Sequence, residues 1–151
     1  MGGRTKKVAE IIGSNLSEYD ISYAPFELTG GKIEKLKEYD SLSNGDYSLF
    51  EEELNTLKIN PFDLILIGMP TYGNAPPVIF DEIMKHMENL EGNHVILFST
   101  ARITGSGTTE YMKSQVEENG GEVIETHNFR GFFKIGKKSV LEFTNLIISK
   151  I

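Results

Sequence analysis

The sequence contains no cysteine, which excludes a disulfide framework, a thiol nucleophile and a thiolate-bound metal. No uninterrupted apolar stretch approaches the roughly 18 residues that a membrane-spanning helix needs. Basic residues are outnumbered, with 15 Lys and Arg against 22 Asp and Glu, for a formal charge of −7. That balance disfavours duplex nucleic acid, whose phosphates need a basic face. It leaves room for a basic protein partner, or for a ligand held by backbone groups. The Gly, Arg and Lys residues at the N-terminus precede no apolar core of a secretory signal, so the expected compartment is the cytoplasm. Histidine is scarce: His86, His94 and His127 lie far apart, without H-x-x-x-H or H-E-x-x-H spacing, so no metal site is expected. All three are expected at the surface or on strand flanks. Ser99 and Ser106 sit in no G-x-S-x-G elbow, and no G-x-G-x-x-G follows a strand. Serine hydrolysis and a Rossmann dinucleotide site are therefore poorly supported, and no side chain is singled out as catalytic.

What is present is a chain of 151 residues, 39% hydrophobic and 10% aromatic, enough for one domain over residues 1–151 with a proper core. Two hydrophobic periods alternate along it, the pattern of an α/β protein. Val8, Ile11, Ile12 and Leu16 follow a helical stripe. Residues 20–28 read as a strand, with Ile21, Tyr23 and Phe26 apolar, and Pro25 inside it makes it an edge strand. Ile33, Leu36 and Tyr39 suggest a short helix, Ser43-Asn44-Gly45-Asp46 a turn, and Phe50, Leu54 and Leu57 a second helix.

Leu64-Ile65-Leu66-Ile67 and Val95-Ile96-Leu97-Phe98 are continuous apolar runs, as in parallel strands buried on both faces. Between them, Ile79, Ile83, Met87 and Leu90 form a helical stripe, with Met84 and Met87 as core residues. A helix is expected over residues 108–119, ended by Gly120-Gly121, then an edge-like strand over residues 122–133. The capping box Ser139-x-x-Glu142 predicts the start of a last helix carrying Val140, Phe143, Ile147 and Ile151. The expected order is α, β, α(α), β, α, β, α, β, α. It lacks a strand in front of the first helix, where a crossover needs one.

In an open α/β sheet, ligands bind beyond the carboxyl ends of the strands. Three loops should emerge there: residues 1–5, 68–77 and 99–107. Gly2, Gly3 and Thr5 lie at a helix start, where free N–H groups and the helix dipole favour phosphate, and Arg4, Lys6 and Lys7 add positive charge. The second loop, Met69-Pro70-Thr71-Tyr72-Gly73-Asn74-Ala75-Pro76-Pro77, is stiffened by proline and leads into a helix with prolines in its first turn. Tyr72 offers a flat face to a planar ring. Gly73 can adopt positive φ or turn its peptide plane over. The third loop, Ser99-Thr100-Ala101-Arg102-Ile103-Thr104-Gly105-Ser106-Gly107, can wrap the other edge of such a ring through backbone groups.

On these residues the chain resembles the flavodoxin-like FMN-binding proteins over nearly its whole length. Phe62-Asp63-Leu64-Ile65-Leu66-Ile67-Gly68-Met69-Pro70-Thr71-Tyr72-Gly73-x-x-Pro76-Pro77 looks like that family's third strand and isoalloxazine loop. Gly2-Gly3-Arg4-Thr5-x-Lys7-x-Ala9 looks like its phosphate turn, with Arg4 in place of the usual Asn and Gly2 where a hydroxyl residue is usual. Residues 95–100 look like its fourth strand. The resemblance implies a three-layer α/β/α sandwich with a parallel sheet of order 2-1-3-4-5, its first strand missing or truncated here. It implies non-covalent FMN held by Gly3, Arg4 and Thr5 at the phosphate. The ring would lie between Pro70, Thr71, Tyr72, Gly73 and Asn74 on one side and Ser99, Thr100, Ala101, Gly105 and Gly107 on the other.

A gap beside the absent strand is expected to leave backbone groups unpaired and to expose Val8, Ile11 and Ile12, unless a second copy or a partner strand fills it or the flanking strands close together. The expected function is an electron carrier working between redox partner proteins. Glu51-Glu52-Glu53 and Glu117-Glu118 read as solvated helix faces or as a rim for a basic partner. The alternatives are an FMN-dependent NAD(P)H:quinone-type reductase, with residues 29–60 helping to form its second pocket, and a flavin-free binding or assembly module.

Overall fold

The computed structural model describes residues 3–28, 31–57, 62–87, 89–131 and 135–151. In chain order the elements are α1 (Arg4–Asn15), α2 (Lys32–Ser43), a single 3-10 turn (Ser48–Phe50), α3 (Glu51–Thr56), β1 (Ile65–Pro70), α4 (Ile79–His86), β2 (His94–Ala101), α5 (Ser106–Glu118), β3 (Glu122–Arg130) and α6 (Lys137–Ile148). The three strands form a parallel sheet in the order β1-β2-β3. Of the expected order 2-1-3-4-5, the described residues thus contain the run 3-4-5.

Strand alternation divides the core between two faces. Ile67, Met69, Val95 and Leu97 pack with Phe80 and Ile83 of α4, Met112 and Val116 of α5, and Leu42, Phe50 and Leu54 from the segment before β1. Ile96, Phe98 and Phe129 pack on the opposite face with Val8 and Ile12 of α1 and Val140, Phe143 and Ile147 of α6. The result is a layered α/β/α architecture. β2 lies in its middle, with every residue from Val95 to Phe98 fully buried as its sequence predicts. Just beyond α5 and its C-cap Asn119, Gly120 takes a φ of 86°, and Gly120 N–H donates to Glu117 O and Gly121 N–H to Val116 O, each at 3.0 Å.

Several expectations are corrected. Residues 20–28 are not a strand. Phe26 and Leu28 pack against the core, Phe26 edge-on to Phe50 at 5.4 Å, while Ile21 and Tyr23 stay exposed. The apolar residues keep no period of two (21 and 23, then 26 and 28), and among the described residues no neighbouring strand supplies a ladder. Without that second strand the described residues contain no gap of the expected kind, and Val8 and Ile12 are not exposed. They are 1% and 2% accessible, because α1 lies across the sheet beside α6. β1 is only partly buried, because β2 is its sole strand neighbour among the described residues. Ile33 and Leu36 lie on α2 as expected of a helix but point to solvent, and Leu42 is its buried contact. Pro76 and Pro77 precede α4 instead of forming its first turn. α6 begins at Lys137 behind Gly136, so Ser139 falls inside its first turn and does not cap it. The expected end of the last strand, residues 132–133, lies outside the described residues.

His127 is not a flank residue. Its ring stacks on Phe143 at 4.8 Å and 28° and sits 4.4 Å from Phe129. Burial pushes its pKa below the ordinary histidine value, against an opposing pull from Glu125. The folded chain therefore binds this proton less readily than the unfolded chain. No stability is lost above about pH 6.5, and stability falls as pH drops from there through the lowered folded value. His127→Phe should remove this contribution. In urea melts, the midpoint of the variant relative to the native chain should rise as pH falls from about 7.5 to about 5, across the histidine range. Parallel profiles would refute it.

Candidate functional site

Helices α4 and α5 cover one face of the sheet and α1 the other, so the chain changes face beside the carboxyl end of β1. That is where an open α/β sheet parts to admit a ligand. A cleft of about 440 Å3 lies there, within the size range of small-molecule sites. Residues 70–74 form one wall, residues 100–104 the other, and Arg4 closes one end.

The N-terminus of α1 meets the end of β2. The first helical bond runs from Lys7 N–H to Gly3 O at 3.0 Å, and no side chain caps this end. The earlier N–H groups of the helix therefore have no acceptor within it. The Thr5 and Thr100 hydroxyls share a hydrogen bond at 2.7 Å, and Arg4 Nη1 donates to Gly131 O at 2.7 Å. Gly131 N–H in turn donates to Ala101 O at 3.1 Å, so Arg4 is braced across the ends of β2 and β3. Gly2 lies outside the described residues.

On the first wall, Thr71 N–H donates to Thr100 O at 3.0 Å and carries the β1–β2 ladder one step beyond Pro70. The chain then reverses over residues 72–75, with Tyr72 N–H to Ala75 O at 2.8 Å and Ala75 N–H to Tyr72 O at 3.1 Å. Tyr72 is half-buried and meets the ring of Tyr39 edge-on at 6.2 Å. Burial, and next Tyr39, push its phenol above the usual tyrosine value, while Arg4 pulls it down. The ring therefore stays neutral at ordinary pH. Tyr39 escaped the sequence reading, because nothing in the pattern of α2 joins it to a loop more than thirty residues away.

The second wall rests on a buried polar floor. Ser99 is fully buried, and its hydroxyl donates to Asn128 Oδ1 at 2.6 Å. The Thr109 hydroxyl lies 3.1 Å from the same oxygen and 3.0 Å from Ser106 O. The Thr108 hydroxyl donates to that of Thr71 at 2.9 Å. A Cβ on Gly105 would overlap Ser99 Oγ, and one on Gly107 would overlap the Asn74 side chain. The structure thus brings Arg4, Pro70, Thr71, Tyr72, Gly73, Asn74, Thr100 and Ala101 to the cleft. Gly3 and Thr5 stand at the helix end beside it, and Ser99, Gly105 and Gly107 lie beneath or behind the second wall. Arg102, Ile103 and Thr104 also line the cleft, and Ile103 is highly exposed on its lip.

In a chain of charge −7, the cleft lining among the described residues contains two arginines and no carboxylate or histidine. Such a site suits an anionic ligand with a flat, largely apolar part. Among the described residues, no His, Asp or Glu cluster suits a metal ion, and no helix is long and apolar enough to cross a membrane.

No protein-family model and no curated protein sequence matches this chain. Solved structures do. A Lactobacillus acidophilus flavoprotein in complex with FMN is 20% identical, with a TM-score of 0.55 over 95% of this chain and 92% of that one. A flavodoxin from the domain Archaea is 17% identical, with a TM-score of 0.62 over 99% and 90%. Oxidised flavodoxin 2 from Bacillus cereus is 17% identical, with a TM-score of 0.60 over 100% and 94%. With its parallel sheet, its helices on both faces and a cleft at the strand tips, this chain has a flavodoxin-like α/β fold.

Proposed function

We propose that the chain binds FMN non-covalently in this cleft and carries electrons between redox partner proteins. The observation that carries the reading is the cleft itself: among the described residues it is lined by two arginines and no acid, at the strand tips of a flavodoxin-like fold and beside an uncapped helix start. The donor set fits the cofactor. Gly3, Arg4 and Thr5 supply backbone N–H groups, a guanidinium and a hydroxyl for the phosphate. Residues 70–74 and 100–101 supply the flat walls for the ring. FMN, when bound, supplies the redox chemistry.

The protein's own part is to orient and shield. Tyr72, kept neutral, offers an apolar face without adding negative charge to the ring's surroundings. The turn at Gly73 places a peptide group at the cleft, and turning that peptide over changes whether it offers N–H or C=O. The floor of Ser99, Asn128 and Thr109 holds the second wall from beneath. Glu51, Glu52, Glu117 and Glu118 are exposed, and with the overall negative charge they favour a basic partner.

The test is a titration of the purified chain with FMN, followed by flavin fluorescence. Quenching at micromolar FMN and uptake of two electrons in two resolved steps support a carrier. Quenching with a single two-electron step and steady NAD(P)H oxidation supports the quinone-type reductase. Absence of quenching leaves the flavin-free module.

A further inference from the structure

We propose that Asn74 is a positioning residue whose side chain latches the 72–75 turn to the start of α5 and so fixes the orientation of the Gly73–Asn74 peptide at the cleft. Both central residues of that turn have positive φ, 57° at Gly73 and 73° at Asn74, which is the type I′ arrangement. Turning the central peptide over gives type II′. Gly73 then keeps its positive φ, but residue 74 moves to negative φ, the region any residue other than glycine prefers. Asparagine tolerates the left-handed region better than most residues, yet its backbone alone does not select it.

The selecting contact comes from another loop. Asn74 Oδ1 accepts a hydrogen bond from Gly107 N–H at 3.3 Å. Gly107 is the second residue of α5, so its N–H belongs to the first turn, which has no acceptor within the helix. The residue preceding α5, Gly105, has no side chain to cap it. Asn74 therefore caps α5 across a sequence separation of 33 residues. The fit is close on both sides of the bond. A Cβ on Gly107 would overlap the Asn74 amide group and fall 2.6 Å from Asn74 O. If the turn flips, residue 74 rotates and Oδ1 leaves Gly107, so the peptide at one wall and the helix start at the other change together.

The test has two arms, the second of which rests on the FMN reading. In the chain without cofactor, Asn74→Gly should speed amide exchange at Gly107 by about tenfold or more, the equivalent of about 1.4 kcal/mol. Exchange over the rest of α5 should stay unchanged. Asn74→Asp, which keeps an acceptor oxygen, should retain the protection. Equal exchange at Gly107 in the native chain and Asn74→Gly overturns the latch, whether or not FMN binds. In the FMN-loaded chain, Asn74→Gly should change the ratio of the two one-electron equilibrium constants about fivefold or more, with Asn74→Asp closer to the native value. Faster Gly107 exchange with that ratio unchanged means the latch caps α5 but does not position the peptide, and overturns the proposal in that form. Failure of the native chain to quench FMN counts against the FMN reading and leaves the first arm to decide the latch.

Discussion

Gly68→Ala is expected to lower the unfolding free energy by about 3 kcal/mol, the upper end of what an added core methyl group costs. Gly68 sits in β1 on the α1/α6 face, opposite Phe98 of β2 in the register. A Cβ there would lie 2.5 Å or less from three carbons of the Phe98 ring. The ring has no room to withdraw, because it packs edge-on to Phe129 at 5.8 Å and to Phe143 at 6.2 Å and is 2% accessible. The methyl group must therefore push β1 away from β2, two residues before the first wall of the cleft. Phe98→Leu relieves the overlap at the expense of a smaller side chain. The double variant should be more stable than the sum of the two single changes predicts, by about 1–3 kcal/mol. Urea unfolding of the four proteins measures this. An unchanged midpoint for Gly68→Ala, or strict additivity, would mean that the sheet yields here more easily than the packing indicates.

Gly68 also shows how far the sequence could be read. The run around it is legible as a strand because four consecutive apolar residues suit a sheet covered on both faces. The same logic identifies β2. No such run marks residues 20–28, where the separated apolar residues Ile21, Tyr23 and Phe26 suit an extended chain and a paired strand alike. What separates the two is a hydrogen-bonded neighbour, and no local pattern encodes that. Ser139 and Glu142 carry a valid cap signal, but Gly136 lets the helix begin earlier, and a start signal inside an existing helix has no effect.

β3 is harder still. In regular alternation Val123, His127 and Phe129 would share a face. The register shift opposite Val95 and Ile96 changes that parity, so Val123 faces the α4/α5 side while Phe129 faces α6. His127 accordingly lands on Phe143 instead of at the surface.

The candidate site divides in the same way. Loops rich in glycine, proline and hydroxyl residues are visible in the sequence because they interrupt apolar runs at the carboxyl ends of strands. What holds them is not visible. Tyr39, Thr109 and Asn128 belong to a helix face, a helix start and a strand end whose local patterns look ordinary. They matter only through neighbours far away in the chain. Glycine at 105 and 107 is recognisable as freedom of the backbone, but in the structure its use is to leave space for Ser99 and Asn74.

Arg4→Glu should weaken FMN binding by about a hundredfold or more, and Arg4→Ala by about tenfold, if the cleft holds the cofactor as proposed. Losing a hydrogen bond to a charged group costs about 1.5–3 kcal/mol, and each 1.4 kcal/mol is tenfold in affinity. Reversing the charge adds repulsion beside a helix start whose dipole otherwise favours an anion. The fold should survive, because Arg4 is only partly buried and its bond to Gly131 O is one contact at the end of the sheet. Circular dichroism of the variants checks this. Raised salt should narrow the difference between the native chain and Arg4→Ala, since exposed charges are screened within about 10 Å at 0.1 M.

Riboflavin, which lacks the phosphate, makes the assignment sharper. Arg4 touches two parts of the site: it stands at the start of α1, and its charge also reaches Tyr72, whose phenol it pulls downward. If it holds the phosphate, Arg4→Ala weakens FMN and leaves riboflavin unaffected. If its guanidinium serves the ring instead, both ligands weaken together. If neither changes by more than about twofold, less than 0.5 kcal/mol, the anion is not bound at this end of the helix, and the phosphate assignment falls with it.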